Sequence, residues 1–157
     1  MSKFGIVTAA LAAATLAITA HSQSAAPYSW NTIVPHRAAQ FGVPETDDRS
    51  LRVDCKPPGT LSITGPTPSD REDGARISVQ FAAPGFHEIR SATVSHGDVT
   101  QFTATVEGRD KAIQTLLAGR ALSISTAGSS WTVSGEGAGA VLRPILAACS
   151  RGADRRH

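Results

Sequence analysis

The chain has 157 residues, 15 Lys+Arg against 13 Asp+Glu, a formal net charge of +2 and two cysteines. That length suits one domain, and so small a charge excludes a strongly basic nucleic-acid binder and an acidic solvating tail. Two cysteines are too few for a Cys-rich zinc module or a dense disulfide scaffold.

The first 22 residues have the three-part layout of a secretory signal peptide. Lys3 precedes an apolar run from Phe4 to Ala20, broken only by Gly5, Thr8, Thr15 and Thr19, and cleavage is expected after Ala20-His21-Ser22. The run is short for a ~30 Å hydrocarbon core and rich in Ala and Thr, so no stable membrane insertion is expected once the signal is removed. Because the first cysteine is Cys55, a lipid-modified N-terminus is excluded, and no twin-arginine signal is present. The address is therefore periplasmic or secreted. In that oxidising compartment the lone pair Cys55 and Cys149 is expected to bridge.

Residues 23–50 carry three prolines and no sustained period, and read as an irregular lead-in anchored by Trp30 and Phe41. The single β-rich domain is expected over 51–150. In 51–56, Leu51, Val53 and Cys55 share one face while Arg52, Asp54 and Lys56 share the other. After the Pro57-Pro58-Gly59 turn, 60–64 alternates again with Leu61 and Ile63 inward, which makes a hairpin. The segment 75–81 alternates Ala75, Ile77, Val79 and Phe81 with Arg76, Ser78 and Gln80. The β-branched stretch 87–97 and the stretch 99–108, with Phe102, Ala104 and Val106 inward, give a second hairpin.

At Arg109 the period changes. Ile113, Leu116 and Leu117 fall at helical spacing, with Asp110 at the N-cap position and Gly119 where the helix ends. Period two returns in 121–125 and 131–135, with Trp131 and Val133 inward. A short terminal helix carries Leu142, Ile145, Leu146 and Cys149, limited by Pro144, and 151–157 forms a frayed tail. Seven strands with one wet face each and two short helices make a mainly β (α+β) protein. Its expected form is an antiparallel β-sandwich or a curved sheet.

Cys149 follows Leu142 by seven residues and Ile145 by four, which puts it on the apolar face of the terminal helix. Cys55 lies on the inward face of its strand. The two are the site residues the sequence supports best, as a disulfide.

Other constellations are weaker. Gly135-Glu136-Gly137-Ala138-Gly139-Ala140 fits a relaxed dinucleotide fingerprint, yet only 17 residues follow it, leaving no second strand and no ribose-binding acid. It reads as a tight strand-to-helix turn, and no cofactor is expected. His87-Glu88 and His96-Gly97-Asp98 could meet across a bend as zinc ligands, but solvated turn histidines are the better reading. Glu45/Asp47/Asp48 and Asp70/Glu72/Asp73 lack the spacing of a calcium loop. Ser129 and Ser130 lie in no nucleophile elbow, so no catalytic residue is assigned. Arg52, Lys56 and Arg76 would form a basic stripe if the first and third strands were neighbours. Aromatic interleaving for nucleic acid is absent.

The early strand cysteine of 51–55 and the stretch from Ser134 to Cys149 at the end resemble small periplasmic β-proteins of proteobacteria. These are the accessory proteins of type VI secretion and the invasion-associated locus B group; the latter carries additional cysteines that this chain lacks. The resemblance covers about residues 50–149. It implies an exported, non-catalytic role in envelope biology, and it carries over no residue except the disulfide pair; the expected partner is another envelope protein. A small envelope hydrolase or hydrolase inhibitor is the alternative. Mass spectrometry of the envelope fraction should find a mature N-terminus between residues 21 and 27; an intact Met1 on membrane-bound chain would contradict the signal peptide.

Overall fold

The structure, a computed structural model, describes residues 27–56, 59–68 and 70–154. The expected signal peptide with residues 23–26, the Pro57-Pro58 pair, Ser69 and the last three residues lie outside them. Eleven elements follow one another: β1 (Ser29–Val34), β2 (Ala38–Gly42), β3 (Arg49–Lys56), β4 (Thr60–Pro66), β5 (Arg76–Ala83), β6 (Phe86–Ser95), β7 (Gln101–Val106), α1 (Lys111–Leu117), β8 (Leu122–Thr126), β9 (Ser129–Val133) and α2 (Ala138–Asp154). The strands form one sheet in the order β1-β2-β3-β4-β7-β6-β5-β8-β9, with every neighbouring pair antiparallel.

The sheet curls into a half-barrel whose concave side gathers one buried row of side chains from most of its strands. Leu51 and Val53 of β3, Leu61 and Ile63 of β4, and Phe102 and Ala104 of β7 are at most 1% exposed. Val79 and Phe81 of β5 and Leu122 and Ile124 of β8 continue the same row. The helices add Ile113 and Leu116 from α1 and Leu142 and Ile145 from α2 to this one cluster. The outward row is polar and rich in hydroxyls, as where Thr64 of β4 meets Thr103 of β7 through their Oγ1 atoms at 3.2 Å.

The mainly β reading holds, as a single curved sheet rather than a sandwich. The irregular lead-in does not hold, since residues 29–42 form the hairpin β1–β2 that brings the strand number to nine. All five residues of β2 are buried, on both faces, so no apolar-polar alternation marks the strand in the sequence. Pro144 does not keep α2 short either. The helix runs 17 residues and takes in the start of the expected tail, through Asp154. Pro144 and Ala140, whose carbonyl loses its i+4 donor, are both exposed, so water can satisfy that carbonyl. Leu142, Ile145 and Cys149 on the opposite side hold the helix to the sheet. No helix among the described residues is long and apolar enough to cross a membrane.

Cys55 and Cys149 form a disulfide with a Cα–Cα distance of 5.6 Å and a sequence separation of 94. It ties the end of β3 to α2, which packs against β1, β2, β3 and α1. In the chain-entropy view a loop of that length is worth roughly 4–5 kcal/mol, less any native strain, against typical domain stabilities of about 5–15 kcal/mol. The paired replacement Cys55→Ser with Cys149→Ser is expected to lower the urea midpoint strongly. Amide exchange should quicken first in α2 and last in β5; unchanged exchange in α2 would show that the bond carries no share of the helix's anchorage.

Candidate functional site

Eight antiparallel steps separate β1 from β9, so the two outermost strands run in the same direction. The Trp30 indole N–H of β1 donates to the carbonyl of Ser134, the residue just after β9, at 2.7 Å. Beside that contact lies a cleft of about 950 Å³. Its floor is apolar, made by Phe41, Val99, Pro66 and Trp131, and its polar walls carry Asp47–Ser50 on one side and Ser129–Thr132 on the other.

The floor depends on Gly65. This β4 residue lies opposite Phe102 in the ladder, and a Cβ there would stand 2.8 Å from Phe102 Cε1 and 3.2 Å from Trp131 Cζ2. A bare backbone at Gly65 lets the two rings approach, with centroids 6.2 Å apart. On the other side Phe41 contacts both Tyr28 and Trp30, each at 5.7 Å between centroids. Three aromatic residues from the lead-in and one from β9 thus frame the seam. The buried Trp131 indole N–H has no acceptor among the described residues.

Tyr28 closes one end of the cleft by donating its hydroxyl to Asp48 Oδ1. That bond, helped by slight burial and by the Asp48 charge, raises the phenol above its ordinary value of 10.0.

The structure scatters the remaining candidates. His87 sits near the start of β6 and His96 just after its end, about 30 Å apart along an extended strand at ~3.3 Å per residue, so they do not meet. His87 Nε2 lies 3.3 Å from Gln80 Oε1. The His96 ring donates from Nε2 to the Arg71 carbonyl at 2.6 Å, and its backbone N–H donates to Asp73 Oδ1 at 2.9 Å, so this histidine braces the 70–74 loop. Glu88 points inward, where Arg90 bonds it and reaches Asp110 Oδ2 at 3.2 Å. Asp110 therefore holds the overhanging start of β6 and accepts from the Glu107 N–H at 2.8 Å, rather than capping α1 with its side chain.

The basic stripe does not form. Arg52 and Lys56 lie on β3 and Arg76 on β5, and β4, β7 and β6 intervene. Arg52 is held by Asp54 through contacts of 2.6–3.0 Å, which raises its already high pKa. Arg76 instead shares a shallow outer groove of about 430 Å³ with Arg71. Gly135 opens the strand-to-helix turn because a Cβ there would fall 2.3 Å from the Arg120 carbonyl oxygen. Asp47 and Asp48 line the cleft, while Glu45 occupies a left-handed turn at φ 61°. Among the described residues no three His, Cys, Asp or Glu side chains converge as a metal site would require.

The cleft itself escaped the sequence reading. Its signal was a five-residue strand, SSWTV, with an aromatic residue but no charge or proline. No protein-family model, no curated protein and no solved structure matches the chain.

Tyr28 is the only tyrosine, so tyrosinate absorbance reports the cleft rim alone. Its bond favours the protonated phenol, and the stability it adds is present below 10.0 and lost as pH rises through the higher folded value. The folded protein is expected to titrate above 10.0, and Asp48→Asn should move the midpoint down. An unchanged midpoint in that variant would break the link between the two residues.

Proposed function

We propose that this is an exported, non-enzymatic interaction protein of the cell envelope that holds its partner in the cleft between the outer strands. The carrying observation is the cleft itself. It has an apolar, aromatic floor and polar walls, and its volume of about 950 Å³ lies at the upper end of the ~300–1,000 Å³ typical of ligand sites. The disulfide is compatible with an oxidising compartment, which supports export.

The lining chemistry favours binding over hydrolysis. Ser129 and Ser130 line the cleft, and no histidine is among its described lining residues, so neither hydroxyl has an imidazole base beside it. Ser130 Oγ is instead 3.1 Å from Ser125 Oγ. The resemblance to type VI secretion accessory proteins and to the invasion-associated group supports an envelope partner, and a secretion-system accessory role is the form this function takes in our reading.

A photo-crosslinking residue placed at Thr132, on the cleft wall, tests the proposal in intact cells against the same residue at Ser91 on the outer sheet face. The expected result is one discrete adduct with an envelope protein from position 132 and none from 91. Equal labelling from both sites would contradict a cleft-centred interaction. Ester hydrolysis abolished by Ser129→Ala or Ser130→Ala would favour the hydrolase.

A further inference from the structure

The cleft borders an edge rather than a face of the sheet. Ser129, Ser130, Trp131 and Thr132 are consecutive, and successive strand residues point to opposite faces, yet all four line it. A cavity running along the edge of β9 meets both sets. β9 pairs with β8 alone, in unbroken register over five residues, so its second side has no strand partner among the described residues.

Natural sheets blunt such edges with charge, proline, bulges or a covering element. β1 is treated this way: its register shifts between Thr32 and Val34, and it packs against α2. β9 carries no charge, proline or register shift, no described element covers its second side, and its residues line the cleft.

We infer that β9 receives an extended peptide segment of a partner protein as an added strand, running antiparallel to β9 along the cleft. This rests on the cleft-centred reading above and names the chemistry of the occupant. Because β1 and β9 run in the same direction, an inserted strand of opposite direction is antiparallel to both, the sense of every pairing in this sheet. Main-chain groups of the segment pair with the open side of β9. Alternate side chains enter the cleft, where Phe41, Trp131 and Val99 take a bulky apolar residue. Asp47–Ser50 line the same cleft across from β9, so the occupant lies between two parts of one chain. A single extended segment suits a site bounded on both sides, whereas a second copy would bring β8 and the rest of its sheet with its own β9, which is why the occupant is a peptide segment.

The probe is a randomised heptapeptide library displayed on phage, selected on the full exported chain. The expected yield is sequences with apolar residues at alternate positions. A synthetic peptide from that pool should slow amide exchange at Ser129–Thr132. Methylating alternate backbone nitrogens on its β9-facing side should weaken binding at least tenfold, and this needs no protein variant. Trp131→Ala should cost a similar factor if the variant folds. Binding in the cleft that ignores N-methylation would overturn strand addition while leaving the cleft-centred reading standing. An absence of enriched peptides, together with no crosslink from position 132, would remove both. Slow exchange of the β9 amides in the free chain that is lost on deleting residues 23–26 would assign the edge to the chain's own leader, and concentration-dependent protection to a second copy; either result overturns the partner.

Discussion

One-sided burial is the constraint on which this structure depends. Most of the strands present one apolar row, and a flat sheet would leave that row without a cover large enough to exclude water. Curling brings Phe81 and Ile124 on one flank and Leu51 and Ile63 on the other into a single cluster. Two helices then suffice to close the concave side. At about 25 cal/mol per Å² of apolar surface removed from water, this buried row is the principal favourable contribution to the fold.

The helices are the weakly self-supporting part. α1 has only seven residues and no side-chain cap, and α2 carries Pro144 in its interior. Neither would persist alone in water, because isolated helices this short or interrupted do not repay nucleation. Both are held from outside, α1 by Ile113 and Leu116 in the core, and α2 by Leu142, Ile145 and the disulfide to β3. Cys149 sits near the far end of α2, so the covalent tie acts where packing has least leverage. The proline costs little there because its ring and the carbonyl it strands face water.

The odd strand number shapes the seam. An all-antiparallel sheet with nine strands presents outer strands of like direction, and no ladder joins them; Trp30 of β1 instead reaches the carbonyl of Ser134, just beyond β9. The gap left beside it is walled by the β2–β3 connection and floored by aromatic rings that the missing side chain of Gly65 allows together. Tyr28, Asp48 and Phe41 thereby give the N-terminal hairpin a place in the candidate site as well as in the sheet.

The sequence by itself determined the elements whose period is visible along the chain. Strands β3 to β9 follow from local alternation, α1 from the spacing of Ile113, Leu116 and Leu117, and the cysteine pair from its being alone. Strand β2 was illegible because tertiary packing buries both its faces and erases the alternation. The length of α2 was illegible because the cost of Pro144 depends on which side of the helix meets water. Strand order was likewise decided only in three dimensions. It separated Arg52 from Arg76, set His87 and His96 at opposite ends of one strand, and brought Trp131 to Phe41 across the seam. Such neighbourhoods arise from pairings between strands distant in the chain, and a periodicity read over ten residues carries no information about them.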